Sequence, residues 1–209
     1  MSGMLEIKTF TFGPFETNTY VVNDGQQVLL IDPACSNAYE QQQLYSYIHS
    51  QLSTFNLLIV ATHGHLDHLW GAKWACEQWN TPVLMHESDI PMAQAMQAQY
   101  NMFGIRTTPE PFPIEPLRSP MTNDQSPITN MSIISTPGHT PGSVCLYWEK
   151  EKVLLSGDTL FRMGYGRTDL PGGNMGQLII SLERLFDLPA DVRVYPGHGD
   201  PTTIGSERR

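Results

Sequence analysis

Residues 63 to 68 of this 209-residue chain read His-Gly-His-Leu-Asp-His and follow the apolar run 57–61. Imidazole is the commonest metal-binding side chain, and a divalent ion such as zinc accepts three or four nitrogen or oxygen ligands. Three imidazoles and one carboxylate within six residues therefore predict a metal site on the loop that leaves a buried strand. The chain has only seven histidines, so their concentration here indicates chemistry rather than packing.

The spacing within this stretch points its candidate ligands in two directions. In an extended segment alternate residues point to the same side, so His63 and His65 can reach one ion. The stretch 66–79 has the apolar spacing of a helix, and Asp67 and His68 fall in its first turn, where the helix dipole favours a carboxylate. Ligands that point in two directions indicate two metal ions, which need more ligands than this segment supplies.

Three later residues share one placement, just past a predicted strand and directly after a glycine. They are His139, Asp158 and His198. Glycine lets the backbone approach closely or take a positive φ, which a loop wrapped around a metal requires. The sequence therefore predicts seven metal ligands, which are His63, His65, Asp67, His68, His139, Asp158 and His198.

Composition and charge limit the kind of protein this can be. With 40% hydrophobic and 16% charged residues the chain is ordinary and globular, and at this length we expect a single domain over 1–209. No apolar run approaches the roughly 20 residues of a membrane-spanning helix. A formal charge of −9 without a Lys/Arg cluster argues against a nucleic acid partner. A small-molecule substrate is the remaining expectation.

The expected compartment is the cytoplasm. The N-terminus shows no basic region followed by a long apolar core, as a secretory signal would. Three cysteines, Cys35, Cys76 and Cys145, are an odd number without paired spacing, which predicts buried free thiols in a reducing environment. The sequence leaves the oligomeric state open.

Strand and helix patterns alternate along the chain. Strands are predicted at 5–12, 19–23, 27–32, 57–61, 82–86, 131–135, 143–148, 152–156 and 192–195, and helices at 37–51, 66–79, 88–103 and 174–187. Turns at Gly13-Pro14 and Asp24-Gly25 make the first three strands an antiparallel meander. Mixed sheets with outer helices predict a layered α/β architecture. The region 88–127, a helix followed by a proline-rich connection, is predicted to cap the site.

On these motifs the chain resembles the metallo-β-lactamase superfamily over nearly its whole length. The resemblance rests on Asp32, the 63–68 motif, His139, Asp158 and His198. It implies a four-layer αββα sandwich with the metals at one edge between two sheets.

The resemblance also implies roles for the ligands. His63, His65 and His139 would hold one ion, and Asp67, His68 and His198 the second. Asp158 would bridge them, and Asp67 and Asp158 are the candidate catalytic carboxylates. Asp32 would be an outer group that orients the histidine loop. Zinc is the expected metal, with iron or manganese also suited to these ligands.

Within the superfamily the chain is similar to the short relatives of glyoxalase II, the hydroxyacylglutathione hydrolases. Segments 157–161 and 166–173 carry this narrower resemblance. It implies hydrolysis of a hydroxyacyl thioester such as S-lactoylglutathione. Eleven residues follow His198, so we expect no C-terminal helical glutathione-binding domain. Two alternatives remain, a persulfide dioxygenase with one iron, and a metallohydrolase of another small ester or phosphoester.

Three side chains shortly after Asp158 are candidates for substrate binding, namely Arg162, Tyr165 and Arg167. A guanidinium can clamp a substrate carboxylate with two parallel hydrogen bonds. For Arg167 the sequence offers a second interpretation, in which it pairs with Asp169 and holds the glycine-rich loop.

Overall fold

The computed structural model of the chain describes residues 5–23, 27–51, 56–117 and 131–208. The chain divides into two compact units, 1–117 and 118–209, and each is described by itself. The single domain expected over 1–209 stays a prediction. The predicted turn at Asp24-Gly25 and the 118–127 part of the predicted cap lie outside the described residues.

The first unit contains one six-stranded mixed sheet. Its strands are β1 (Glu6–Phe12), β2 (Thr17–Asn23), β3 (Gln27–Ile31), β4 (Asn56–Val60), β5 (Val83–Met85) and β6 (Ile114–Pro116), which lie side by side in chain order. The first three pair antiparallel, as the meander prediction required, and β3 to β6 pair parallel. Because β3 and β4 are parallel, the residues after them, Asp32 and 61–63, emerge at the same edge of the sheet.

The helices of the first unit are α1 (Ala38–Gln51), α2 (Leu66–Leu69), α3 (Ala72–Trp79), α4 (Ile90–Gln94) and α5 (Met96–Met102), with a 3-10 turn at Glu87–Asp89. The continuous helix predicted over 66–79 is therefore wrong, since it is interrupted at Gly71. Gly71 N–H donates to Pro33 O at 2.8 Å, and a Cβ at this position would overlap the Cys35 sulfur. The helix predicted over 88–103 is likewise divided into shorter pieces.

The second unit contains a five-stranded mixed sheet in the order β13-β12-β9-β8-β7. Its elements are β7 (Met131–Ser135), β8 (Val144–Trp148), β9 (Val153–Gly157), β10 (Leu160–Phe161), β11 (Gly164–Tyr165), α6 (Met175–Phe186), β12 (Arg193–Pro196), β13 (Thr202–Thr203) and α7 (Ile204–Glu207). Strands β7 and β9 both pair antiparallel with β8, and β12 pairs parallel with β9. The carboxyl ends of β7, β9 and β12 therefore lie at one edge.

Each unit buries its own apolar core. In the first unit Leu30, Leu44 and Ile59 are fully buried, and in the second Leu178 of α6 packs with Cys145 and Leu154 of the sheet. All three cysteines are buried and free, as predicted. Among the residues that the structure describes, no helix has both the length and the apolar character needed to span a bilayer.

Candidate metal centre

Within the first unit, three imidazoles of the 63–68 motif lie close together just past β4. The ring centroid of His63 is 4.1 Å from that of His68 and 4.8 Å from that of His65. All three side chains are buried. Crowding three imidazoles in a buried position would be unfavourable if they were charged, because burial disfavours a cation. Neutral imidazoles are the form in which histidine binds metals.

Asp32 holds this group from the neighbouring strand. Its carboxylate accepts hydrogen bonds from both N–H and Oγ1 of Thr62, each at 2.7 Å, and Oδ2 lies 2.9 Å from Nδ1 of His68. Asp32 adopts a φ of 52°, in the left-handed region where aspartate is tolerated better than most residues. The backbone is thus turned so that the carboxylate faces the histidine loop, as the outer role expected for Asp32 requires.

The remaining ligand candidate of the motif, Asp67, sits in the first turn of α2. Its Oδ2 accepts a hydrogen bond from Thr17 Oγ1 at 3.0 Å and lies 3.6 Å from Nε2 of His68. This separation is long for a hydrogen bond. Two donor atoms on one tetrahedral ion, with bonds of about 2.0–2.1 Å, lie about 3.4 Å apart. The spacing of Asp67 and His68 therefore fits a shared ion.

Within the second unit, the three strand ends bring Asp158, His139 and His198 together. Asp158 Oδ2 lies 3.5 Å from Nε2 of His139 and 3.5 Å from Nε2 of His198. Asp158 and His198 are aligned by the parallel strands β9 and β12, where Gly197 N–H donates to Gly157 O at 2.8 Å. The carboxylate is thus equidistant from two imidazoles at the separation expected of metal ligands.

In His68 and in His139, a hydrogen bond fixes which of the two ring nitrogens carries the proton. Nδ1 of His139 lies 2.7 Å from the carbonyl oxygen of Arg167, which can only accept. Nδ1 of His68 faces the carboxylate of Asp32 in the same way. In a neutral ring the proton is therefore on Nδ1, and Nε2 carries the lone pair that can bind a metal. Nε2 is also the atom that lies near Asp158 in one case and Asp67 in the other.

Two glycines allow the second unit's ligands to be held this tightly. A Cβ on Gly166 would overlap the backbone oxygen of Asp158 and lie 3.0 Å from Nδ1 of His139. Gly138 has a φ of 140°, and a Cβ there would overlap the backbone of Leu178 in α6. Close packing of the loops leaves no room for a side chain at either position, so both positions require glycine.

The three residues predicted to contact substrate lie in exposed positions. Arg167 forms a two-point ion pair with Asp169, with Nε to Oδ1 at 2.7 Å and Nη2 to Oδ2 at 2.6 Å. Hydrogen bonding to Arg167 lowers the pKa of Asp169 to about 2. Arg162 pairs with Asp200 at 2.9 Å. The loop pairing that the sequence allowed for Arg167 is present, and substrate contact by these side chains stays a prediction.

Sequence reasoning missed four residues that hold the histidine loop of the first unit, namely Thr17, Thr62, Asp89 and Gln99. Only Thr62 had a signal, since it directly precedes the motif. The other three are distant in sequence, and tertiary folding brings them to the loop. The two histidines outside the motifs have local contacts: the His49 ring stacks on Tyr45, and His86 Nδ1 accepts from Ser88 N–H at 3.2 Å.

Comparison with known proteins agrees with the sequence motifs. The probable metallo-hydrolase YqgX of Bacillus subtilis is 34% identical over 94% of this chain and 91% of its own length. The hydroxyacylglutathione hydrolase GloC of Haemophilus influenzae is 30% identical over 98% of this chain and 96% of its own. The crystal structure of TTHA1623 in a di-iron-bound form superposes with a TM-score of 0.84 at 35% identity, covering 97% of each chain.

The family model of the metallo-beta-lactamase superfamily matches residues 12–198, which is most of the chain. The structural similarity to TTHA1623 covers 97% of this chain, so the predicted α/β fold of metallo-β-lactamase type is confirmed. With matching sequence, fold and relatives, the chain belongs to the metallo-beta-lactamase superfamily.

Proposed function

We propose that this chain is a metal-dependent hydrolase whose two groups of ligands together hold two divalent ions and that it cleaves a hydroxyacyl thioester such as S-lactoylglutathione. The observation that carries the proposal is the spacing of the donor atoms. Asp158 Oδ2 lies 3.5 Å from Nε2 of both His139 and His198, a separation that suits ligands of a common ion and is too long for a strong hydrogen bond.

In this proposal the first ion is held by His63, His65 and His139, and the second by Asp67, His68 and His198. Asp158 bridges the two, which its equal distances to His139 and His198 favour. Zinc suits these nitrogen and oxygen ligands, and the di-iron form of TTHA1623 makes iron the first alternative, with manganese also possible.

When bound, two ions would supply an acidified water and would polarise a carbonyl, so that the nucleophile would be available at neutral pH. The chain's own contribution is to position these groups. Thr17 donates to Oδ2 of Asp67 and fixes the carboxylate, which we assign as the acceptor of the nucleophile's proton. Asp158 supplies negative charge between the ligands. A thiolate leaves without protonation, so a thioester needs no further acid.

Substrate recognition is assigned to the exposed side chains after β9. Arg162 and Arg167 form surface ion pairs with Asp200 and Asp169, and exposed pairs of this kind contribute little to stability. A carboxylate of a glutathione-like substrate can therefore displace an aspartate at small cost. Tyr165, exposed beside them, supplies an aromatic surface. The acidic chain is assigned a small-molecule substrate, with no nucleic acid or membrane partner.

The comparisons favour a hydrolase over other reactions of this fold, since YqgX is described as a probable metallo-hydrolase and GloC as a hydroxyacylglutathione hydrolase. The test is to measure S-lactoylglutathione hydrolysis, oxygen uptake with glutathione persulfide, and cleavage of a simple ester and phosphoester on one metal-loaded preparation. Thioester turnover that is lost in His139→Ala but kept in His49→Ala supports the proposal. Oxygen uptake without hydrolysis would replace it with a persulfide dioxygenase, and turnover of the ester or phosphoester alone with another metallohydrolase.

A further inference from the structure

The side chain of Gln99, in α5, makes hydrogen bonds on both sides of His65. Its Oε1 accepts from Leu66 N–H at 2.9 Å, and its Nε2 donates to Gly64 O at 2.9 Å. The same Nε2 donates to Met92 O at 3.2 Å. Both ends of one amide are therefore used, and the two backbone groups that they bind flank a single metal-ligand candidate.

Gly64 is fixed from a second direction as well. Its N–H donates to Oδ2 of the buried Asp89 at 2.8 Å, so both polar backbone groups of Gly64 are bound by side chains from the segment 87–102. A Cβ on Gly64 would lie 3.0 Å from Asp89 O and 3.4 Å from Met92 Cβ. The segment thus packs directly against the loop.

This arrangement restrains the backbone on each side of His65. The rings of His68 and His139 are oriented by hydrogen bonds that Nδ1 donates to Asp32 Oδ2 and to Arg167 O. For His65 the restraint acts on the peptide groups before and after it. Because rotation about those peptides would turn the Cα–Cβ bond of His65, fixing them fixes the position from which its imidazole extends. A primary amide suits this task, because its oxygen accepts a hydrogen bond while its NH₂ group donates from a separate atom.

We propose that Gln99 is a positioning residue that holds His65 in the orientation needed to bind a metal ion. The segment 87–102, nearly all of which belongs to the predicted cap 88–127, then holds the 63–68 motif in place. This inference rests on the metal centre of the proposed function but not on its thioester substrate, so the two can fail separately.

The test compares Zn²⁺ binding to apo-protein in Gln99→Met and in Gln97→Met, using competition with a chromophoric chelator. Methionine has nearly the size of glutamine and removes all three hydrogen bonds of the amide. Gln97 lies on the same helix, is exposed, and donates a hydrogen bond to Asn101 Oδ1, one turn along that helix, at 3.0 Å. Loss of an outer partner weakens metal affinity by about 10- to 100-fold, so we expect one of two zinc ions to bind that much more weakly in Gln99→Met and neither to change in Gln97→Met.

A second measurement separates positioning from plain loss of stability. If Gln99 positions His65, the increase in Tm produced by Zn²⁺ becomes smaller in Gln99→Met. Gln99→Glu keeps the acceptor for Leu66 N–H but sets a carboxylate oxygen against Gly64 O and Met92 O, so it should weaken zinc binding at least as much as Gln99→Met. Unchanged zinc affinity with equal falls in Tm of the apo- and zinc-loaded forms would overturn the inference. Wild-type protein without bound zinc would overturn both the inference and the metal centre, whereas zinc binding without thioester turnover would remove only the substrate.

Discussion

Oδ2 of Asp32 lies 2.9 Å from Nδ1 of His68, and the same carboxylate accepts two hydrogen bonds from Thr62 at 2.7 Å. The buried side chain of Asp32 therefore fixes both Thr62, just before the 63–68 motif, and the imidazole of His68 at the end of that motif. Outer partners of this kind set the tautomer and direction of the ligand.

Replacing Asp32 by asparagine tests this relationship. Asparagine also tolerates a positive φ, so the change removes the charge without adding backbone strain. We expect the free energy of unfolding of the apo-protein to fall by about 2–4 kcal/mol, because a buried network loses its charged acceptor. Urea denaturation measures this. A loss below about 0.5 kcal/mol, the range of ordinary surface substitutions, would show that Asp32 does not organise the loop.

A methyl group at Gly166 should disrupt the second unit's ligands. Its Cβ would overlap the backbone oxygen of Asp158, and a backbone atom cannot move aside by changing rotamer. We expect Gly166→Ala to lose at least about 2 kcal/mol of stability, as overpacking does, and to bind less metal. Gly164→Ala is the matched control, since nothing lies within 4 Å of a Cβ there. Equal behaviour of the two variants in denaturation and metal analysis would contradict the packing described for this loop.

The three cysteines should be unreactive in the native protein. Burial raises the pKa of Cys35 to about 12 and those of Cys76 and Cys145 to about 11, and only the thiolate reacts with disulfide reagents. At pH 8 we expect negligible labelling of folded protein and labelling of three thiols after denaturation. Rapid reaction of any native thiol would show that it is accessible.

The raised pKa values of the three thiols also predict how the stability of the protein depends on pH. The folded protein holds its thiol protons more tightly than the unfolded chain, whose thiols have the ordinary pKa of about 9.0. This contribution is complete below pH 9 and is lost as the pH rises towards 12. The free energy of unfolding should therefore decline above pH 9, and less steeply in Cys35→Ala. An unchanged slope in that variant would contradict the burial of Cys35.

Arg167→Ala tests the proposed substrate clamp. The side chain is exposed and paired with Asp169, while its backbone oxygen, which the substitution retains, binds His139. We expect KM for the thioester to rise with little change in kcat, because uniform binding is lost. Asp169→Asn controls for the ion pair alone. An unchanged KM with a lower Tm would restrict Arg167 to holding its loop.

The two groups of candidate ligands were predictable because their members lie just past a strand in recognisable motifs, and within each unit parallel strands bring those strand ends to one edge. The interruption at Gly71 was not predictable, because it depends on Cys35 occupying the space beside it. Strand β6, three residues long within a proline-rich stretch, gave no periodic signal. Gln99 and Asp89 also look like ordinary polar residues in the sequence. Their contacts with Gly64 arise only when α5 and the 3-10 turn fold against the loop.

The most direct test of the account is the number of metal ions per chain in wild type, His65→Ala and His198→Ala, each reconstituted with zinc and analysed by elemental analysis. A dinuclear centre predicts two ions in wild type and a reduced number in each variant, because the proposal assigns each histidine to a different ion. A single ion in wild type that persists in His198→Ala would contradict the dinuclear centre and favour the mononuclear site of a dioxygenase.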